Sequence, residues 1–255
     1  MSQKSITHLS FSRLKSLAHS PLMLARYIEE KKERTKAMDE GSLFDCLLFE
    51  PEKIDERFYI IPKPDRRTKE GKAQFENAIE KAGNRTVMSM EQFEDAKRLE
   101  EAIRMNSTVA FSGLLNPDFF KFQQKVEFFM SGFKHIGVMD AIGEDRNGQK
   151  VIWDLKRMGA KSGEKLVRSA IRNELYDLQA AIYCYPFDSE GIDVKYYLIA
   201  VDNDGYVTPF EIGRDARNQA KILWFQLIKA AHHCNMVGLD QGPEFWAGQN
   251  GFFQF

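Results

Sequence analysis

The chain has 255 residues, 43% of them hydrophobic and 29% charged, with a formal net charge of −1 at pH 7. That is ordinary for a globular protein with ample core, and it excludes a chain that is basic overall, so any surface for nucleic acid has to be local. The three cysteines (Cys46, Cys184, Cys234) stand far apart without a CxxC pair. This argues against a disulfide framework or a four-cysteine metal site, and fits a reduced, cytoplasmic setting with no membrane-spanning run.

From the N-terminus, Ser10 or Ser12 can cap a short helix carrying Leu14, Leu17 and Ala18. Ser20-Pro21 opens a second helix, with proline at the first helical position where its missing N–H does no harm. After the charged run Glu29 to Lys36, the apolar stretch Ala37 to Phe49 reads as a third helix that stops near Pro51. It places Asp45 among Leu43, Phe44, Cys46, Leu47, Leu48 and Phe49. A carboxylate there is either the exposed stripe of that helix or a ligand pointing into a site. Phe58 to Pro62 reads as a short strand and Lys63 to Lys72 as a basic loop, in which Arg66 and Arg67 are more simply solvated than bound to phosphate. Ser89 to Gln92 matches a capping box for a helix to about Met105, with Phe93, Ala96, Leu99 and Ile103 inward.

Three strands follow. Val126, Phe128 and Met130 alternate with Glu127 and Phe129; Ile136, Val138, Asp140 and Ile142 share one face of the next strand. Asp145 to Gly148 is a hairpin turn leading to Val151–Lys156, which holds the last two strands antiparallel and can bring Asp140 and Asp154 together. Asp154 and Lys156 point to one side of their strand, and a lysine beside carboxylates on an apolar strand is costly unless a metal or phosphate shares the site.

Residues 163–185 read as one helix with an apolar stripe of Leu166, Ala170, Ile171, Leu175, Leu178 and Ile182. Another face carries Lys165, Arg168, Arg172, Tyr176, Gln179 and Tyr183. From Lys156 to Arg172 six basic residues (Lys156, Arg157, Lys161, Lys165, Arg168, Arg172) stand against one acid, Glu164. This concentrated charge is either a solvated face or a set of phosphate contacts. Asp193 to Val201 and Tyr206 to Ile212 add strands. Arg214 to Val237 is a long helix ended by Gly238, with Ala216, Ala220, Leu223, Leu227, Ala231 and Cys234 inward and a His232-His233 pair that reads as surface. The aromatic, Gly-rich tail either folds back or docks on another subunit.

Carboxylate, turn, carboxylate-x-Lys, then a helix bearing Tyr and Gln, resembles the PD-(D/E)xK nuclease superfamily, most closely its RecE-like (exodeoxyribonuclease VIII) and lambda-exonuclease branch. Four stretches carry the resemblance, in the same order: LSFSRLKSLAHSP, AMDEGSLFDCLLFEP, GVMD…WDLK and YDLQAAIY. They span about residues 8–185. Asp45 stands where that family usually has His, Met139 where it has Pro, and Arg157 where a small hydroxyl residue is common.

The resemblance implies an α/β fold, a central mixed β-sheet flanked by helices of the restriction-endonuclease type. The chain would form a single domain over residues 1–255: a mainly helical part to 105, a catalytic sheet and helix over 106–212, then a C-terminal helix and tail. It implies an Mg²⁺- or Mn²⁺-dependent 5′→3′ exonuclease on double-stranded DNA ends, acting in homologous recombination. By the resemblance Asp140, Asp154, the Leu155 carbonyl and Asp45 hold the metal, and Glu127 helps a second ion or a water. Lys156 orients or deprotonates the water. Tyr176 and Gln179 position the strand, Lys165, Arg168 and Arg172 hold phosphates, and Ser12 and Arg13 grasp the DNA end. A homo-oligomeric ring and a single-strand annealing protein are the implied partners. An endonuclease, a single-strand exonuclease or an inactive end-binding module of the same superfamily are the alternatives.

Overall fold

The computed structural model describes residues 5–29, 35–63, 65, 67–159, 163–240 and 245. Arg66, Lys161 and the aromatic tail beyond Phe245, all named above, lie outside the described residues. A two-residue strand β1 (His8–Leu9) precedes α1 (Phe11–His19) and α2 (Pro21–Glu29); α3 (Lys36–Phe49) and the single turn α4 (Ile54–Arg57) follow. Ser10, not Ser12, caps α1, accepting the Arg13 N–H at 3.3 Å. Next come β2 (Phe58–Ile61), α5 (Lys69–Ala82), β3 (Thr86–Ser89), α6 (Met90–Met105) and α7 (Ser107–Ser112). The basic stretch from Lys63 therefore ends where Thr68 caps α5 by accepting the Gly71 N–H. The capping box at Ser89 and Gln92 forms as expected. β2 and β3 pair in parallel as a separate small sheet.

The main sheet is built from β4 (Phe120–Met130), β5 (Phe133–Glu144), β6 (Lys150–Met158), β7 (Val194–Asp202) and β8 (Val207–Glu211), with α8 (Glu164–Asn173) and α9 (Tyr176–Ser189) between β6 and β7 and α10 (Arg214–Val237) last. The β5–β6 turn is held by Asp145, whose Oδ1 accepts the N–H groups of Asn147 and Gln149, and by Gly148 at φ +76°. β1 with β5 and β6 with β7 are parallel; β4 with β5, β5 with β6 and β7 with β8 are antiparallel.

The pairing of β5 decides where the site lies. β4 covers one edge of β5 from Phe133 to Gly143. The other edge is shared: β1 takes Lys134 and His135, and β6 takes Ala141 to Glu144. Between His135 and Ala141 that edge is open, while β6 continues beyond Trp153 paired only with β7. The sheet forks there.

Each face of the sheet carries its own core. One unites α1, α2, α8, α9 and α10 through residues such as Leu14, Leu24, Ile171, Ile182 and Trp224 against Ile152, Leu198 and Ala200. The other packs α3, α6 and α7, through Phe44, Leu48, Leu99 and Val109, against Trp153, Leu155 and Ile199. β7 is buried on both faces, which explains its nearly unbroken apolar run. No helix among the described residues is long and apolar enough to cross a membrane.

Three expectations about elements fail. Residues 163–185 form two helices, broken at Leu175, which adopts a left-handed φ of +58°. In α8 the inward residue is Val167, whereas Leu166 is 46% exposed. In α10 Ala216 is exposed and Arg217 is buried in its place, its guanidinium donating to the Val194 carbonyl and to Cys184 Sγ.

Candidate metal centre

Alternation along β6 sends Trp153 and Leu155 into the α3/α6 core, and Ile152, Asp154 and Lys156 toward α9. Asp154 is only 2% exposed. The Gln179 side-chain N–H donates to Asp154 Oδ1 at 2.9 Å, and the Lys156 ammonium ion-pairs with Oδ2. The break at Leu175 brings Tyr176 to the start of α9, where its ring lies 5.2 Å from Lys156 Nζ. One turn beyond Gln179, the Tyr183 ring packs against Gly137, so close that a Cβ there would come within 2.6 Å of it. Only glycine allows α9 that close to β5.

Asp140 lies at the open edge of β5, where the strand changes phase. Phe133 and Met139 face the α9 core, but Ala141 faces the α3 core and Ile142 the α9 core again. The opposite strand does the same: Phe120 and Phe122 pack on the α3 side, Val126 and Phe128 on the α9 side. Between them the ladder skips the Gln123–Asp140 pair, and Gln123 takes a left-handed φ of +49°. The single face expected for Ile136, Val138, Asp140 and Ile142 is therefore broken, and Val138 is 46% exposed. The turn of the chain sends Asp140 into the fork, where its Oδ2 accepts the Leu155 N–H at 2.8 Å. N–H and C=O of one strand residue point to the same side, so the Leu155 carbonyl also faces the fork.

Asp45 reaches the cluster from α3, on the opposite side of the sheet from Gln179, and interacts electrostatically with Asp154 and Lys156. Burial, then the neighbouring carboxylates, push the Asp45 carboxyl up to about 7 and that of Asp140 up to about 8, against the pull of Lys156. For Lys156 burial alone would lower the ammonium. Asp154 and Asp140 outweigh it and hold the group above the ordinary lysine range.

Among the described residues no three His, Cys, Asp or Glu side chains converge on one point, and two of the carboxylates carry internal partners, Lys156 on Asp154 and the Leu155 N–H on Asp140. Asp154 Oδ2 is buried with only the Lys156 ammonium against it, and Gln179 Oε1 is buried with no hydrogen-bond donor. Three neighbouring carboxylates, a strand carbonyl and the buried Gln179 Oε1, with no thiol or imidazole, are the donor chemistry of a hard, oxygen-ligated divalent cation such as Mg²⁺ or Mn²⁺, which would have to draw them together and displace Lys156 from Asp154.

Other expected site residues lie elsewhere. Glu127 is ion-paired with Lys125 and Lys134 and registers with Ile136, four residues or about 13 Å along the strand from Asp140. The structure does not bring it to the cluster. Arg13 donates to the His8 carbonyl at 3.1 Å, and Ser12 is exposed on α1. Lys165, Arg168 and Arg172 are exposed on α8. Arg168 pairs with Glu164 and lies 4.8 Å from the centre of the Phe210 ring. Sequence reasoning missed Gly137, Tyr183 as its partner, and the phase change at Gln123. Only an isolated glycine inside a strand pattern signalled the first.

The model of a family described as a PDDEXK-like domain of unknown function matches residues 10–210. No curated protein matches the sequence. Among solved structures, a protein from Eubacterium rectale named as a candidate exonuclease is similar at 14% identity, covering 89% of this chain and 82% of its own, with a TM-score of 0.58. SSO0001 (16% identity, 83% and 91% covered, TM-score 0.33) and protein VC1899 from Vibrio cholerae (10%, 89% and 55%, 0.26) are too distant to carry an argument. The expected architecture, a mixed sheet flanked by helices in the restriction-endonuclease-like manner, is the one observed.

Proposed function

The chain belongs to the PDDEXK-like domain family, and from that premise we propose that it is a divalent-metal-dependent nuclease that hydrolyses DNA phosphodiester bonds. The observation that carries this reading is the fork itself, where Asp45, Asp140, Asp154 and Lys156, from three separate elements, interact beside the buried Gln179 Oε1.

Asp45, Asp140, Asp154 and the Leu155 carbonyl would hold Mg²⁺ or Mn²⁺. Such an ion supplies Lewis acidity at the phosphate and a water of lowered pKa. Lys156 is held as an ammonium by its two carboxylate neighbours, so its role is to orient the water and to offset charge on the phosphate. A role as base is disfavoured by the same neighbours. Gln179 fixes Asp154, and Tyr176 covers the Lys156 ammonium, keeping both from turning away from the fork. Lys165 and Arg172 on α8, following β6 in the chain, are the phosphate contacts; Arg168 is committed to Glu164 and Phe210 until a phosphate competes for it. Glu127 takes no part.

The finer reading rests on the order and spacing of the motifs: a 5′→3′ exonuclease on double-stranded ends, acting in recombination as a ring with an annealing protein. Ser12 and Arg13 would then meet the DNA end. The test is digestion of linear and closed circular duplex, labelled at either 5′ or 3′ end, with Mg²⁺, Mn²⁺, Ca²⁺ or EDTA, for wild type and Asp154→Asn. Linear duplex should yield mononucleotides from the 5′ end, circles should survive, and EDTA or the substitution should stop release. Cutting of circles would make the enzyme an endonuclease. Undiminished digestion in EDTA would sink the metal mechanism.

A further inference from the structure

The Asp45 carboxylate makes no hydrogen bond or ion pair among the described residues, although Asp140 and Asp154 each have an internal donor. Its place is set by where α3 lies. The cores fix α3 through Phe44, Leu48 and Phe49, but apolar contacts alone let a helix slide and rotate by small amounts. A polar junction one turn and a half before Asp45 removes that freedom.

At that junction, Arg157, next to Lys156 but on the opposite face of β6, donates from Nη1 to Glu40 Oε2 at 3.1 Å. The pair is shielded, with side-chain exposures of 23% and 19%. The second Glu40 oxygen accepts from Gln92 Nε2 at 3.0 Å, and the Gln92 Oε1 is already taken by the Ser89 N–H in the capping box of α6. Lys36 lies 3.5 Å from the same Glu40 oxygen. Arg157 also donates from Nη2 to Asn203 Oδ1 at 3.4 Å, and Asn203 in turn bonds the Gly159 carbonyl and accepts from Arg98. The catalytic strand, α3, α6 and the β7–β8 turn thus meet at one guanidinium. Glu40 stands five residues, about 7.5 Å of helix, from Asp45.

We propose that Arg157 is a positioning residue that, through Glu40, sets the register of α3 against β6 and so holds the Asp45 carboxylate at the metal centre. The inference rests on the reading of Asp45 as a ligand. It assigns a role to the residue that replaces a small hydroxyl side chain in the resembling family. Bonding Glu40 and Asn203 from two separate nitrogens requires a guanidinium, and lysine should serve it only in part.

Free Mn²⁺ measured by electron paramagnetic resonance gives the metal affinity without any turnover. Arg157→Ala and Glu40→Ala should each weaken Mn²⁺ binding about tenfold, as loss of an outer support does. Arg157→Lys should lie between them and wild type. In an Asp45→Asn background, Arg157→Ala should cause no further loss. Circular dichroism checks the fold, and if Arg157→Ala does not fold, Arg157→Lys and Glu40→Gln carry the same comparison. Wild-type affinity in Arg157→Ala, or an equal loss with and without Asp45, overturns the proposal and leaves the metal centre standing. An Asp45→Asn protein that binds Mn²⁺ as wild type does overturns the ligand reading on which it rests.

Discussion

Replacing Lys156 by alanine separates its electrostatic role from any role as a base. The ammonium, 21% exposed, is the counter-charge of Asp154, whose side chain is 2% exposed. Removing one partner of a buried pair costs about 3–5 kcal/mol. Here the low end applies, because Asp154 keeps the Gln179 bond and the cluster can take up a proton. About 3 kcal/mol lowers the melting temperature of a chain this size by roughly 6–12 °C. The penalty should depend on pH. With Lys156 present Asp45 and Asp140 lose their protons near 7 and 8; without its pull both keep them to higher pH, so between pH 5.5 and 8.5 the folded variant retains protons that wild type releases and loses stability relative to it. Melting curves of wild type and Lys156→Ala in EDTA at both pH values should therefore diverge with rising pH, and Mn²⁺ should bring them closer. Digestion should fall by a factor of about a hundred or more. A melting temperature equal to wild type, or a deficit that ignores both pH and Mn²⁺, would refute the assignment of Lys156 as counter-charge of this cluster.

Mn²⁺ must displace protons from Asp45 and Asp140, so its affinity should rise steeply from pH 6 to 8.5 and then level; isothermal titration in buffers of different ionisation enthalpy reads the released protons, and a flat profile removes these carboxylates from the ligand set. The metal-free protein follows the opposite course. Its folded state keeps protons that the unfolded chain releases from about pH 4 upward, so stability in EDTA should fall as pH rises toward 8. Gly137→Ala drives a methyl into the Tyr183 ring and should cost about 1–3 kcal/mol, seen as a lower denaturation midpoint, together with weaker Mn²⁺ binding as α9 and Gln179 shift. Glu127→Gln should leave both digestion rate and melting temperature unchanged; a drop in Mn²⁺-dependent rate would return Glu127 to the centre.

Local chemistry made much of this legible from the residues alone. The Asp145–Gly148 turn fixes the β5–β6 pairing, and period-2 alternation places Asp154 and Lys156 on one side, because both signals depend only on neighbours in the chain. The long helix from Arg214 to Val237 is marked by its own period and the glycine that ends it. What stayed hidden depends on tertiary context. Leu178 to Cys184 are all buried, so α9 shows no amphipathic stripe, and nothing local predicts that a leucine will take the left-handed break before it. Glu127 looked like the third strand carboxylate because alternation cannot supply register between strands. Arg217 was hidden because a charged residue is assigned outward unless its buried partners are known.

The fork also explains why three carboxylates can stand together in a folded chain. A continuous β5–β6 ladder would pair the Leu155 N–H with a carbonyl of β5 and leave no gap for a side chain from the far face. Because β1 and β6 divide one edge of β5, that ladder ends at Ala141–Trp153, and the Asp140 carboxylate takes over the Leu155 N–H. The phase change at Gln123 and Asp140 is what turns that carboxylate inward, and the same gap admits Asp45 from α3. Straightening the strand at Gln123 should therefore undo the centre without touching a ligand. Gln123→Gly relieves the left-handed strain and should retain metal binding, whereas Gln123→Val, which disfavours that backbone, should restore the ladder and weaken Mn²⁺ binding. Equal Mn²⁺ affinity in the two variants would show that the kink at Gln123 does not place Asp140.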